Sequence, residues 1–194
     1  MLQQQKPILI LASASPRRQE LLREAEIAFA VHPAHINEDQ HAGEPPLQYA
    51  LRLAREKAQA IARQYPQSYV LGADTIVVID NEVLGKPRDA EDAARMLRKL
   101  SGREHQVTTA VSLVKPGGKT ETRSSTTQVF FREIAENEIQ QYIAGGEPMD
   151  KAGAYAIQGG ASRFADRIVG EYSNVVGLPL SLVTEMLRKS GLAK

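Results

Sequence analysis

Apolar residues along the chain fall into two rhythms, continuous runs and helical stripes, which alternate through the first half. The run Pro7-Ile8-Leu9-Ile10-Leu11-Ala12 predicts a buried strand. Ser15-Pro16 predicts a helix start, with serine as N-cap and proline at the first helical position, running from about Pro16 to Glu24. Ile27-Ala28-Phe29-Ala30-Val31 predicts a second strand by its bulky apolar residues. The stretch from His35 to Pro46 is polar and without period, so it reads as an exposed connection. From Pro46 to about Tyr65, residues Leu47, Ala50, Leu51, Ala54, Ala58, Ile61 and Tyr65 recur at helical spacing. They predict a long helix with that face in the core and Lys57 at its edge.

Tyr69 to Ile79 is the central strand candidate, interrupted only by Gly72 and the pair Asp74-Thr75. Asp80-Asn81-Glu82 turns the chain, Val83-Leu84 returns as a short strand, and Asp89 caps a helix to about Leu100 that stops at Gly102. Gln106 to Val114 and Glu121 to Phe131 alternate as strands around a Pro116-Gly117-Gly118 hairpin. A helix from about Ala135 to Ala144 ends at Gly145-Gly146, and a glycine-rich stretch through Gly160 follows, read as ligand-shaped loop or plain turn. Pro179 opens a last helix, stopped by Gly191. Alternating strands and helices with a hairpin in the middle predict an α/β fold with a mixed central sheet and flanking helices, a single domain over residues 1–194.

Composition narrows the partners. The 194 residues are 42% hydrophobic, enough for a sizeable core. Lys+Arg 24 against Asp+Glu 23 gives a net charge of +1, so no global field draws nucleic acid or an anionic membrane, and anion binding must be local. The absence of cysteine removes disulfides, thiolate nucleophiles and thiolate zinc sites, and fits a reducing cytoplasm. Met1 to Lys6 lacks the pattern of a signal peptide, and no apolar run is long enough to span a bilayer.

Within that frame a few residues stand against their surroundings. Arg17 and Arg18 occupy a first helical turn, where each costs roughly 0.3–1 kcal/mol against the helix dipole. A bound phosphate reverses that sign, while the bland alternative is two solvated arginines and capping serines. Asp74 interrupts a buried strand, where a lone carboxylate is expensive; a backbone-bonded or lysine-paired acid is one reading, and a general base or metal ligand the other. Lys57 at a core edge and Lys86 in Gly85-Lys86-Pro87 are each placed to hold a phosphate or to snorkel. The four histidines show no ligand spacing, and Ser13 and Ser15 have no histidine partner in view, so neither a zinc site nor a serine triad is favoured. Ser13, Arg17, Arg18, Lys57 and Lys86 together form a polyphosphate-binding inventory, and Asp74 with Glu38 forms a carboxylate pair suited to Mg²⁺ or to preparing a water.

Six segments occur in one order: Leu11-Ala12-Ser13-Ala14-Ser15-Pro16-Arg17-Arg18, Arg55-Glu56-Lys57-Ala58, Gly72-Ala73-Asp74-Thr75, Gly85-Lys86-Pro87, Lys151-Ala152-Gly153-Ala154-Tyr155 and Asn174-Val175-Val176-Gly177-Leu178-Pro179. In these the chain resembles the Maf-like nucleotide pyrophosphatases, also called septum formation inhibitor proteins, over almost its whole length. The resemblance implies a mixed-sheet fold with two lobes around a cleft, related to inosine triphosphatases and often homodimeric. It implies cleavage of a nucleoside triphosphate to monophosphate and pyrophosphate with a divalent cation, Mg²⁺ or Mn²⁺. By the same resemblance Asp74 is the proton acceptor, and Glu38, with Asp39 as the neighbouring alternative, meets the metal together with Asp74. Ser13, Arg17, Arg18, Lys57 and Lys86 hold the phosphates, and Thr75 and Gln158, with Arg17, mark the branch acting on dTTP and UTP. The Gln158 amide suits a pyrimidine, donating to a carbonyl and accepting from N3–H. House-cleaning of the nucleotide pool and a role in cell-division arrest accompany that reading. A non-enzymatic nucleotide sensor of septum formation and a pyrophosphatase for modified nucleotides are the alternatives.

Overall fold

A computed structural model of the protein describes residues 9–192, so Pro7 and Ile8 of the predicted first strand lie outside the described residues. Its strands are β1 (Leu9–Leu11), β2 (Phe29–Val31), β3 (Tyr69–Ile79), β4 (Glu82–Leu84), β5 (Glu104–Val114), β6 (Thr120–Phe131) and β7 (Ala165–Val169). Its α-helices are α1 (Pro16–Glu24), α2 (Pro46–Ala62), α3 (Ala90–Leu100), α4 (Glu136–Ala144), α5 (Tyr172–Val176) and α6 (Leu180–Ser190). Hydrogen bonding links the strands in the order β2-β1-β3-β5-β6-β7, with β4 on β3. The sheet is mixed, as the alternation predicts: β1 runs parallel to β2 and β3, whereas β4 is antiparallel to β3 and β7 to β6.

The chain divides into two compact units. The first takes the chain up to Asp74, residues Ala110–Ser124 and everything from Gly177 onward. Its core gathers Ile10, Ala12, Ala58, Ile61, Val70 and Val114, so the β1 and β3 faces meet α2. Gly72 decides how closely they meet. A Cβ there would lie 2.4 Å from the Ala54 carbonyl oxygen and 2.6 Å from the Ala58 nitrogen, so only glycine lets the α2 backbone rest on the strand. The buried stripe of α2 is Ala50, Leu53, Ala54, Lys57, Ala58 and Ile61. This corrects the predicted face: Leu47 is 44% exposed and Leu51 half-buried, while Leu53 and Lys57 turn inward. Ser112 bonds Thr122 at 2.9 Å across the β5–β6 hairpin, closed where Lys115 N donates to the Lys119 carbonyl.

The second unit holds residues Thr75–Thr109 and Ser125–Val176. Asp80 and Asn81, both at positive φ (52° and 62°), make the two-residue turn from β3 to β4. Asp89 caps α3 by accepting from Asp92 N at 2.8 Å, as its position before the apolar stripe predicts. Aromatic rings fill this unit's core: Phe131 packs edge-on against His105 and Tyr155 with centroids 4.8 and 4.9 Å away, and Phe164 lies beside Tyr142. The glycine-rich stretch becomes three short 3₁₀ turns, Glu147–Asp150, Ala152–Ala154 and Gly160–Phe164. Strand β7 and helix α5 follow them, and the apolar pattern predicts neither: β7 is half-exposed and polar, and α5 has five residues.

Candidate active site

Six of the sequence-predicted residues fall in the first unit: Ser13, Arg17, Arg18, Glu38, Lys57 and Asp74. The turn between β1 and α1 builds one part. Ser15 caps α1 through Arg18 N, and buried Ser13 accepts from Ser15 N at 3.2 Å and from Arg18 Nη1 at 3.1 Å. Arg18 also donates Nε to the Gly177 carbonyl at 2.9 Å, which ties the turn to the segment leading into α6. Burial lowers the Arg18 pKa, opposed by the nearby Asp74 charge. Arg17, one residue earlier, makes no side-chain hydrogen bond or ion pair among the described residues, so its guanidinium is available to an anion.

The second part lies where α2 crosses β3. Gly72 and Asp74 are two residues apart on one strand and so face the same way, toward α2. The close contact at Gly72 sets Lys57, between Ala54 and Ala58, against Asp74. Lys57 Nζ donates to Asp74 Oδ1 at 2.7 Å and to Glu38 Oε2 at 2.9 Å. Both side chains of the Lys57–Asp74 pair are about one-tenth exposed, whereas Glu38 is half in solvent. Burial pushes the Asp74 carboxyl above its usual range, with Lys57 and then Arg18 opposing and Glu38 adding to the rise. Of the two neighbouring acids it is Glu38 whose side chain reaches Lys57; the Asp39 backbone is held instead, its N–H on Asn37 Oδ1 and its carbonyl on Arg52.

Two residues that sequence reasoning passed over hold the Glu38 loop in place. Tyr49 donates its hydroxyl to the Glu38 carbonyl at 2.7 Å, and Arg52 grips Glu44 with two bonds of 2.7 and 2.8 Å while reaching the Asp39 carbonyl at 2.9 Å. Burial, then the charges of Asp74 and Glu38, raises the Tyr49 pKa. Their spacing, i and i+3 on α2 below an acidic loop, is the one signal the sequence carried for them.

Thr75, Lys86 and Gln158 belong to the second unit. Lys86 is exposed beside buried Pro87, in a loop where the Gly85 carbonyl accepts from Gly153 N at 3.0 Å. Gly153 sits at φ +68°, and a Cβ there would meet Val77 at 2.9 Å. Gln158 is exposed on a turn braced by Glu147, which accepts from Tyr142 at 2.8 Å and Gly160 N at 3.0 Å. Thr75 Oγ1 lies 2.9 Å from Thr109 Oγ1.

Among the described residues no three histidine or acidic side chains converge as a metal cage. Glu38 and Asp74 nevertheless present their oxygens to one ammonium, and a pair of carboxylates completed by substrate phosphate oxygens is the donor set a Mg²⁺-type ion takes. The residues present therefore fit such an ion.

The sequence as a whole has counterparts among known proteins. A family model described as Maf-like protein matches residues 8–190. The chain belongs to the Maf-like protein family. Among Maf-like relatives, a dTTP/UTP pyrophosphatase of Koribacter versatilis is 57% identical over 184 residues, 95% of each chain. A dTTP/UTP pyrophosphatase of a Geobacillus species is 51% identical over 94% of this chain and 98% of its own. The Maf-like fold also matches that of the Staphylococcus aureus Ham1 protein, with a TM-score of 0.54 and 13% identity over 93% of this chain and 98% of that one. That likeness is one of fold alone. Among the described residues no helix is long and apolar enough to cross a membrane.

Proposed function

We propose that this Maf-like protein hydrolyses dTTP and UTP to the monophosphate and pyrophosphate, with Asp74 taking a proton from the attacking water. The carrying observation is Asp74 itself, buried on β3 with its carboxyl pushed upward and its Oδ1 held by Lys57. A carboxylate in that state is poised nearer neutrality than a solvated one, which is what a general base at neutral pH requires. Lys57 fixes the carboxylate's orientation and leaves Oδ2 to accept the water proton. The ammonium has three donors, of which Asp74 and Glu38 take two, so one remains for a phosphate oxygen.

Cationic and hydroxyl groups at the β1–α1 turn support triphosphate binding: Arg17 is uncommitted, and Arg18 and Ser13 are held in a fixed array at a helix start. The names of relatives more than half identical to this chain support the choice of dTTP and UTP. Lys86 for phosphate, and Thr75 and Gln158 for the base, enter the reading through the sequence resemblance, as do a single functional domain, a homodimer and a cytoplasmic location. A divalent cation bound by Glu38 and Asp74 supplies charge neutralisation on the phosphates and a more acidic water.

Purified protein with Mg²⁺ or Mn²⁺ is to be assayed against a panel of nucleoside triphosphates with pyrophosphate detection. Release of pyrophosphate from dTTP and UTP, absent in Asp74→Asn, is expected. Binding of dTTP without its consumption would make the protein a nucleotide sensor, and faster turnover of inosine or methylated triphosphates would move the substrate assignment.

A further inference from the structure

Lys57 is shared between two acids of unequal setting. Its Nζ donates to Asp74 Oδ1 at 2.7 Å and to Glu38 Oε2 at 2.9 Å. The first bond joins side chains that are each 10% exposed, whereas Glu38, at the far end of the second, is 54% exposed. An ion pair with one end in water is the weaker of two such bonds, so the link to Glu38 is the one that yields to a competitor.

Two kinds of competitor meet here. A divalent ion bound by both carboxylates needs the Glu38 group that the ammonium holds, and the two cations repel across the few ångströms that a shared ligand allows. Breaking the Lys57–Glu38 bond for the ion alone leaves a buried ammonium one acceptor short, a loss that opposes binding. A triphosphate oxygen repairs that loss by taking the donor that Glu38 gives up. Such an anion has a place close by: burial lowers the Arg18 pKa and the charges of Asp74 and Glu38 oppose the fall, so the β1–α1 turn stands within electrostatic reach of both acids. Glu38 meanwhile keeps its place through its main chain, where Tyr49 holds its carbonyl at 2.7 Å and Arg52 the Asp39 carbonyl at 2.9 Å. The ion pair can open without the loop leaving.

We propose that the Lys57–Glu38 ion pair is a latch that makes metal binding depend on triphosphate: Lys57 exchanges Glu38 for a phosphate oxygen, keeps Asp74, and so frees Glu38 for the divalent ion. The two ligands are thereby coupled, and by linkage each tightens the other. This rests on the proposed reading of the site as one for metal-assisted triphosphate hydrolysis. Its consequence is a protein that takes up its ion with each substrate rather than keeping one between turnovers.

Mn²⁺ binding followed by electron paramagnetic resonance tests this on the wild-type protein, on Lys57→Met and on Lys57→Met with Glu38→Gln. Each is titrated with and without α,β-methylene-UTP, in which carbon replaces the scissile bridging oxygen. Without the analogue, Lys57→Met should bind Mn²⁺ about tenfold more tightly than wild type, and the added Glu38→Gln change should cancel that gain. The analogue should then tighten Mn²⁺ binding about tenfold more in wild type than in Lys57→Met; chelation by its own phosphates is common to both proteins and cancels between them. Equal Mn²⁺ affinity of the two proteins without the analogue, or equal tightening by it, overturns the proposal. If Lys57→Met fails to fold, the wild type decides: Mn²⁺ bound as tightly alone as with the analogue overturns the proposal, and binding about tenfold tighter than to either protein or analogue alone supports it. Failure of the underlying functional reading is distinct, since wild type would then release no pyrophosphate from dTTP or UTP.

Discussion

Lys57 Nζ sits 2.7 Å from Asp74 Oδ1, and the two side chains share one buried spot between α2 and β3. The ammonium is thus a regulator of the carboxylate's proton affinity as well as a cation. Burial outweighs it, and the Asp74 carboxyl remains above its ordinary range.

Under the proposed mechanism Asp74 acts deprotonated, so kcat/KM should rise with pH through the raised Asp74 value. Lys57→Met removes the largest opposing charge, so the acid limb of the profile should move to higher pH; Glu38→Gln removes a like charge and should move it lower. Opposed shifts in two pH–rate profiles are the check. A limb that stays put in both variants would assign it to another group.

Asp74→Asn keeps the shape and size of the side chain and can still accept from Lys57 through its carbonyl oxygen. It should lose about 10²- to 10⁴-fold in kcat, the ordinary worth of general base catalysis, while thermal unfolding stays cooperative. Turnover close to wild type would shift the proton-accepting role elsewhere.

The Arg52–Glu44 clasp holds the loop that carries Glu38, and Arg52 keeps the Glu44 carboxyl down at about 2. Arg52→Lys cannot reproduce a two-pronged grip. Activity should fall about tenfold through misplacement of Glu38, with little change in melting temperature. Equal activity in steady-state assays would show that the loop holds its place without the clasp.

Gly72→Ala would drive a methyl into the α2 backbone at Ala54 and Ala58. Overpacking of this kind costs about 1–3 kcal/mol and often more against backbone. Chemical denaturation should show that loss, and the displaced α2 would also separate Lys57 from Asp74. A variant as stable and active as wild type would contradict the contact.

His105 is buried against Tyr155 and Phe131, and burial lowers its pKa from 6.5 to about 4. The unfolded chain therefore binds a proton at a higher pH than the folded one. Stability from the neutral ring is complete above about pH 6.5 and is lost as pH falls toward 4, by roughly 3 kcal/mol in all. Urea unfolding across that window should be steeply pH-dependent in wild type and flatter in His105→Asn; parallel slopes would refute the assignment.

Much of this architecture is written locally. Ser15-Pro16 starts α1 at its predicted residue, and the apolar run from Tyr69 to Ile79 is β3 to its ends, because cap chemistry and continuous burial act within a few residues. The α2 face rotated because leucine and alanine lie on several sides of that helix, and only the contact at Gly72 chooses among them. Strand β7 was illegible since pairing with β6, not its own polar sequence, makes Ala165–Val169 extended. At the candidate site the charged residue types were readable, whereas the sharing of Lys57 between Glu38 and Asp74, 19 and 17 residues away, depends on a register that no short segment encodes.

The bond from Arg18 to the Gly177 carbonyl joins groups 159 residues apart in sequence. During synthesis the β1–α1 turn must wait, its guanidinium without this acceptor, until the chain has grown as far as Gly177. The β1–α1 turn is thus made well before the carbonyl that completes it, so a chain stalled between the two would carry the turn but not its clasp.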